Sequence, residues 1–258
     1  MFPSWRPSFR RLDIASGGVV ARWAVHDGSD RAVGTGRVAT SGCTWRQLPP
    51  VFGPAWPTVY RRFAQWSRDR VRARLHRVIL DELGARGKLD WSRCAIDSVG
   101  VQAAKGGPLT GPNPTDRGKP GSKIHLITDR NGVPLWLGIS GANMHDSLGL
   151  QPLVRGIPPI RSRRGPRRRR PAKLHADKGY DYDHLGKWLR ERRIRHRIAR
   201  KGIESSTRLG GHRWVVERTV SWLADCRRLH LRYERTAEHL LAFVGIAAAL
   251  ISYRRLTK

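Results

Sequence analysis

One carboxylate interrupts a run that otherwise reads as a buried strand. In Cys94-Ala-Ile-Asp-Ser-Val99 apolar residues flank Asp97 on both sides. An ionised acid in such a place is costly unless it is paired, hydrogen-bonded or bound to a metal. Any fold this chain adopts must therefore give Asp97 a partner. Two further acids stand out by position. Asp177 ends the strand-like Ala172-Lys-Leu-His-Ala-Asp177, just before Lys178-Gly179-Tyr180. Glu217 lies on a predicted helix over 212–228. At about 100° per residue it falls off the apolar arc of Val215, Val216, Val220, Leu223 and Cys226 and shares its polar face with Arg213, Arg218 and Ser221.

Three convergent carboxylates repel one another, and a hard divalent cation such as Mg²⁺ relieves that repulsion. Two such ions about 3.5–4 Å apart can activate a water or a 3′-hydroxyl and stabilise the leaving oxygen of a phosphodiester. Each acid also has a plainer reading. Asp97 suits a bulge bonded to backbone N–H groups, Asp177 suits a turn, and Glu217 suits an ion pair with Arg213 worth a few tenths of a kcal/mol.

Charge weighs on that choice. Fifty basic residues against 20 acidic ones give +30 over 258 residues. Such a surplus argues against an ordinary small-metabolite enzyme and for a polyanionic partner, most simply nucleic acid. Cys43, Cys94 and Cys226 are too far apart for a metal knuckle or a disulfide framework, which suits a reducing cytosol. The longest apolar run, Leu240–Ile251, is shorter than the roughly 20 residues of a bilayer span, and Met1-Phe-Pro-Ser-Trp-Arg6 lacks the apolar stretch of a secretory signal. No membrane association is expected.

Along the chain, residues 1–40 mix Pro, Gly, Ser and Arg without a period and predict no regular structure. A helix is expected from about Thr58, carrying Tyr60, Phe63 and Trp66. A second runs from about Asp69 to Leu83, with Val71, Leu75, Val78 and Ile79 on one face and Arg70, Arg72, Arg74 and Arg77 on the other. The pair suits a helix-turn-helix on DNA, or simply a solvated basic face. From residue 91 strands take over. Cys94–Val99, Lys123–Thr128 and Val133–Ile139 are predicted strands, the last two joined as a hairpin across Asp129-Arg-Asn-Gly132. The Gly/Pro-rich 105–121 is loop, and its Gly118-Lys119-Pro120 lacks the pattern of an ATP-binding P-loop. Asp146 is placed to cap a helix through Val154, with Asn143 and His145 nearby as candidate site neighbours. Residues 155–170 form a basic loop that either tracks DNA backbone or is simply solvated. A strand over 172–177, a helix over 183–193, an edge strand over 194–200 and helices over 212–228 and 236–254 complete an α/β order, antiparallel first and parallel later. Lys123 and His125 share one side of their strand, as phosphate contacts or as solvated edge residues. Trp222 reads as core, and Trp214 as a boundary residue or a stacking surface.

The wording around the acids resembles a known family. Trp91-Ser-Arg-Cys-Ala-Ile-Asp97, Gly118-Lys-Pro-Gly-Ser-Lys-Ile-His125, Asn143-Met-His-Asp-Ser147, Leu174-His-Ala-Asp-Lys-Gly-Tyr180 and His212-Arg-Trp-Val-Val-Glu-Arg218 look like a bacterial insertion-sequence transposase of the DDE class. The similarity runs from about Gly42 to Leu256. It implies an RNase H-like mixed sheet flanked by helices, preceded by a small helical DNA-binding region. It also implies a catalytic and metal-binding triad of Asp97, Asp177 and Glu217 that uses Mg²⁺ or Mn²⁺ to nick element ends and join the freed 3′-hydroxyl to target DNA. The partners implied are double-stranded DNA (terminal inverted repeats and target) and a second copy of the chain, in a bacterial cytoplasm at the nucleoid. Arg213 matches a basic residue of the family's Glu-containing motif. The expected DNA contacts are Arg213, Lys123, His125, Lys178, Arg218, Arg227, Arg228, Arg70 and Arg74. Two positions depart from the pattern: Gly210 and Ala224 stand where relatives carry Tyr and Lys, and Arg227 and Arg228 are the candidates to replace that Lys. Relatives also carry a helix ahead of Gly42-Cys-Thr-Trp45, and Val33–Thr40 does not read as one. The expected division is therefore a poorly ordered or decayed segment over 1–40, a helical DNA-binding region over 41–90 and a catalytic domain over 91–258. The alternative is a catalytically impaired DNA-binding remnant with a damaged N-terminus.

Overall fold

The computed structural model describes residues 29–200 and 206–257. Three helices come first: α1 (Ser29–Ser41), α2 (Trp56–Arg68) and α3 (Val71–Ala85). The first corrects the expectation of no regular structure up to residue 40; residues 1–28 lie outside the described chain. Glycine inside a helix costs up to about 1 kcal/mol, and Gly34 and Gly36 hid this one from a propensity reading. Packing overrides that cost. Thr35, Val38 and Ala39 are fully buried, and the missing side chain at Gly34 lets α1 close on Leu48 and Val59.

The sheet is then laid down from its centre. β1 (Cys94–Ala103) is followed by a two-residue β2 (Gly111–Pro112), β3 (Pro120–Asp129) and β4 (Pro134–Gly141). β3 pairs antiparallel with both β1 and β4. After α4 (Ser147–Gly156), β5 (Lys173–Ala176) joins the other side of β1 in parallel. α5 (Asp183–Glu191) crosses to β6 (Arg195–Ile198), parallel to β5. The order β4-β3-β1-β5-β6, antiparallel on one side and parallel on the other, is the RNase H-like mixed sheet that the resemblance implies. α6 (Ser206–Ala224), a short β7 (Leu231–Arg232) beside β1, and α7 (Ala237–Leu256) complete the described chain.

Alternation along β1 sends its side chains to two cores. Ala95 and Val101 join Ile124 and Leu126 of β3 beneath Val216 and Leu223 of α6, Phe243 of α7 and Phe63 of α2. Cys94 and Ile96 join Ile127 beneath Leu80 and Leu83 of α3, Leu150 and Leu153 of α4, and Leu189 of α5. α7 reaches both: Leu240, Phe243 and Val244 fill the first core, and Ala249 and Leu256 the second. That helix is long and apolar enough to cross a membrane by composition alone, but most of it is buried in the protein.

Two polar devices hold the connections. Arg232 is fully buried and donates to the carbonyls of Pro108, Leu109 and Glu234 and to the hydroxyls of Thr110 and Ser122. It thereby ties the Gly/Pro loop to the sheet. Asp129 holds the β3–β4 turn: its carboxylate accepts from the N–H groups of Asp90, Asn131 and Val133, and Gly132 takes the left-handed φ of 84° that closes the turn. α6 docks on that turn, with the Thr219 hydroxyl donating to Gly132 O and Arg218 to Asn131 O.

Arg232→Met keeps the volume and strands these acceptors in the interior. The expected loss is at least about 3 kcal/mol, read from urea midpoints, with faster proteolysis between residues 105 and 121. Burial raises the Asp129 carboxyl to about 6, against the pull of its three N–H bonds and with a further push from the Asp90 charge. The folded protein then holds a proton that the unfolded chain has released. Stability should fall as pH rises from about 4 to 6, by at most about 3 kcal/mol from this group. Asp129→Asn should remove that part of the slope; an unchanged pH profile of the urea midpoint would refute the assignment.

Candidate active site

The two aspartates are brought together by strand register. Ala95 pairs with His175 across the parallel β1–β5 ladder. Carrying that register two residues further sets Asp97 beside Asp177, whose backbone is still extended just beyond β5. In a sheet, residues two apart share a face and directly paired residues point the same way. Asp97 and Asp177 therefore lie on the face of Ala95 and Val101, the one α6 covers.

Both are half-buried and held locally. One Asp97 oxygen accepts the Ser98 N–H at 2.8 Å, and one Asp177 oxygen accepts the Gly179 N–H at 2.9 Å, which opens a short 3₁₀ turn over Lys178–Tyr180. Glu217 stands on α6 beside the buried Val215 and Val216, on the exposed side of the helix. Among the described residues no three His, Cys, Asp or Glu side chains gather closely enough to hold a metal ion. The donor set itself fits a hard cation, being carboxylate oxygen throughout with two members side by side on adjacent strands. Strand register sets Asp97 beside Asp177, and Glu217 stands exposed on the helix that covers their face.

The expected DNA contacts divide by accessibility. Arg70, Arg74, Lys178 and Arg227 are exposed. The Arg213 side chain lies outside the described residues. Arg218 is partly buried, sandwiched between the rings of Trp214 (4.3 Å) and Trp222 (4.6 Å). Two expectations are corrected. His125 is 2% exposed, bonded to the Ser140 hydroxyl at 2.8 Å and packed on Gly149, so it reaches no phosphate. Arg228 is 6% exposed, paired with Glu234 at 2.9 Å and donating to Cys43 O, so it is structural.

A third correction concerns Asp146. It precedes α4 but makes no capping bond with its side chain. Its carboxylate accepts instead from Lys123 at 2.9 Å and from the Ser98 hydroxyl at 2.7 Å. Burial pushes the Asp146 carboxyl up, but Ser98 and Lys123 outweigh it and leave it below the ordinary value. Lys123 also donates to Met144 O. The Lys123–Asp146–Ser98 cluster sits directly behind Asp97, on the opposite face of β1. Sequence reading could see the acid and the lysine but not their pairing, because 23 residues separate them. His145 bonds the Ser147 hydroxyl and meets Tyr182 edge-on at 5.7 Å, which joins this loop to the segment following Asp177.

Comparison with known proteins agrees with this architecture. Residues 90–252 match the model of the transposase DDE domain, and residues 30–76 match one described as "Putative transposase of IS4/5 family". The chain is 38% identical over 231 residues to a Burkholderia cepacia protein described as "Putative transposase for insertion sequence element IS402", covering 90% of this chain and 96% of that one. Over 89 residues it is 37% identical to an uncharacterised 16.2 kDa protein of the same element, covering 33% of this chain and 60% of that one. Among solved structures it resembles a pre-cleavage Mos1 transpososome at a TM-score of 0.32 and 9% identity, covering 91% of this chain and 78% of that one, a likeness too loose to build on. The chain belongs to the DDE transposases of bacterial insertion sequences.

Proposed function

We propose that this transposase cuts and joins DNA at a centre made by Asp97, Asp177 and Glu217. The observation that carries this reading is the register of β1 and β5, which sets two carboxylates side by side on the face covered by the helix that bears the third. Asp97 and Asp177, fixed on adjacent strands, would hold a divalent cation through oxygen alone, and Glu217 would complete its ligand set from α6. Bound Mg²⁺ or Mn²⁺ supplies the Lewis acidity that activates a water or a 3′-hydroxyl and stabilises the leaving oxygen. The chain does the rest. The Ser98 and Gly179 N–H groups each hold one oxygen of an aspartate and so fix its rotamer. The Asp129 turn seats α6, and with it Glu217. The exposed Lys178 and Arg227 are placed to take backbone phosphates on a molecule of net charge +30.

The substrates in this reading are the element's inverted-repeat ends and a target duplex, with two copies of the chain pairing two ends at the bacterial nucleoid. Residues 91–258 form the catalytic domain. Residues 41–90 form the helical DNA-binding region, to which α1 belongs by its packing on α2. The remnant alternative finds no support over residues 29–41, where the helix is formed and packed.

Purified protein should nick a duplex carrying the ends that flank its gene when Mg²⁺ is supplied. Asp97→Ala and Asp177→Ala should each reduce the rate by more than the roughly 10–100-fold typical for loss of an outer-shell metal partner, with duplex affinity retained. Nicking by Asp97→Ala at the unmodified rate would reject the site.

A further inference from the structure

On the other side of the sheet, a groove of about 540 Å³ runs between α3, the end of α4 and the segment that leads from α4 to β5. Its lining includes Arg70, Arg74, Arg77, Arg155 and Arg169, with Asp69 as the single acid. All five arginines are exposed, and none belongs to an ion pair among the described residues. His76 also lines the groove. Burial lowers its imidazole to about 4, so it brings no charge at neutral pH.

The groove is built rather than incidental. The 157–170 segment is anchored to α3 through Asp81, whose carboxylate accepts the Arg161 N–H at 2.8 Å and the Arg167 guanidinium at 2.8 and 3.0 Å. Ile160 and Arg168 bridge its two arms through reciprocal backbone bonds. Arg169 donates to Arg155 O at 2.9 Å, and Arg155 lies over the Trp188 ring at 5.5 Å. The basic run is therefore a strap in a fixed course. Arg155 and Arg169 are held by these contacts, so less entropy is lost when they take a ligand. Arg192, also over the Trp188 ring at 3.8 Å, continues the positive surface onto α5.

Placement separates this groove from the aspartates. Trp136, in its lining, pairs with Ile127, which pairs with Ile96. Ile96 faces the core under α3 and α4, whereas Asp97 faces α6. Resting on the DNA-cutting reading above, we propose that the α3–strap groove is a second DNA-backbone site, which binds a duplex segment other than the one at Asp97 of the same subunit. Five guanidiniums with one acid suit the phosphates of a duplex backbone.

The test uses full-length protein carrying Asp97→Ala, so that binding is read without cleavage and without dependence on the catalytic assignment. Each phosphate neutralised contributes about 0.9 to the slope of log K against log salt. The triple substitution Arg77→Gln, Arg155→Gln, Arg169→Gln should make the slope for a random-sequence duplex shallower by about 2 to 3. The triple Arg77→Lys, Arg155→Lys, Arg169→Lys should restore most of it. With one duplex fixed on beads and a second, labelled duplex in solution, protein without the triple should bridge the two, and the Gln triple should hold the first without recruiting the second. An unchanged slope or unchanged bridging in the Gln triple overturns the proposal, as does an equal loss in the Lys triple. Failure of the catalytic triad would appear elsewhere, as nicking that persists in Asp97→Ala.

Discussion

Parallel pairing of β1 with β5 settles where chemistry can occur. A β-strand offers only two faces, and a one-residue slip exchanges them. With Ala95 opposite His175, the two aspartates share the face under α6 while Leu174 and Ala176 enter the other core. A shift by one residue would drive Asp177 among Leu80, Leu150 and Leu189 and leave Leu174 on the side of the acids. The hydrophobic pattern of a four-residue strand thus enforces the alignment of acids that lie 80 residues apart in the chain. The turn held by Asp129 then fixes the covering helix, so that both sides of the candidate centre refer back to β1 and its neighbours.

Charge is distributed with the same economy. Most of the positive surplus lies on exposed side chains, where water bears the cost. The exceptions are matched: Arg228 by Glu234, Arg232 by a ring of carbonyls and hydroxyls, Lys123 by Asp146. Buried ion pairs add little net stability but are costly to break. Their worth here is positional: Lys123 and Arg232 tie loops to the sheet, and Arg228 ties the turn before β7 to Glu234 and to the Cys43 carbonyl. Arg72 is different. It lies over the Trp66 ring at 5.0 Å, two of its guanidine nitrogens lack a hydrogen-bond partner, and burial lowers it to about 10.

Much of this was legible in the chain itself. Strand alternation and the Asp129-Arg-Asn-Gly turn placed β1, β3 and β4, and periodicity placed α2 through α7 to within a few residues at most ends. The motifs that flank Asp97, Asp177 and Glu217 carried the family. What escaped was decided by contacts far apart in sequence. α1 exists because Leu48 and Val59 receive Gly34, which no local propensity records. His125 and Arg228 read as surface cations, yet their partners Ser140, Glu234 and the Cys43 carbonyl enclose them. Asp146 looked like a helix cap because the position before a helix usually is one; a lysine on β3 claimed it instead. Where Glu217 stands relative to the aspartates is likewise not written in spacing, since it depends on how α6 sits over the sheet.

α7, the final element of the described chain, reaches both hydrophobic cores. Neither core can close while that segment is still inside the ribosome, so folding must wait until α7 has emerged. A product ending before residue 237 would expose Phe63 and Val216 on one side of the sheet and Leu80 and Leu83 on the other. Such a fragment is a candidate for aggregation and degradation, not a half-active enzyme.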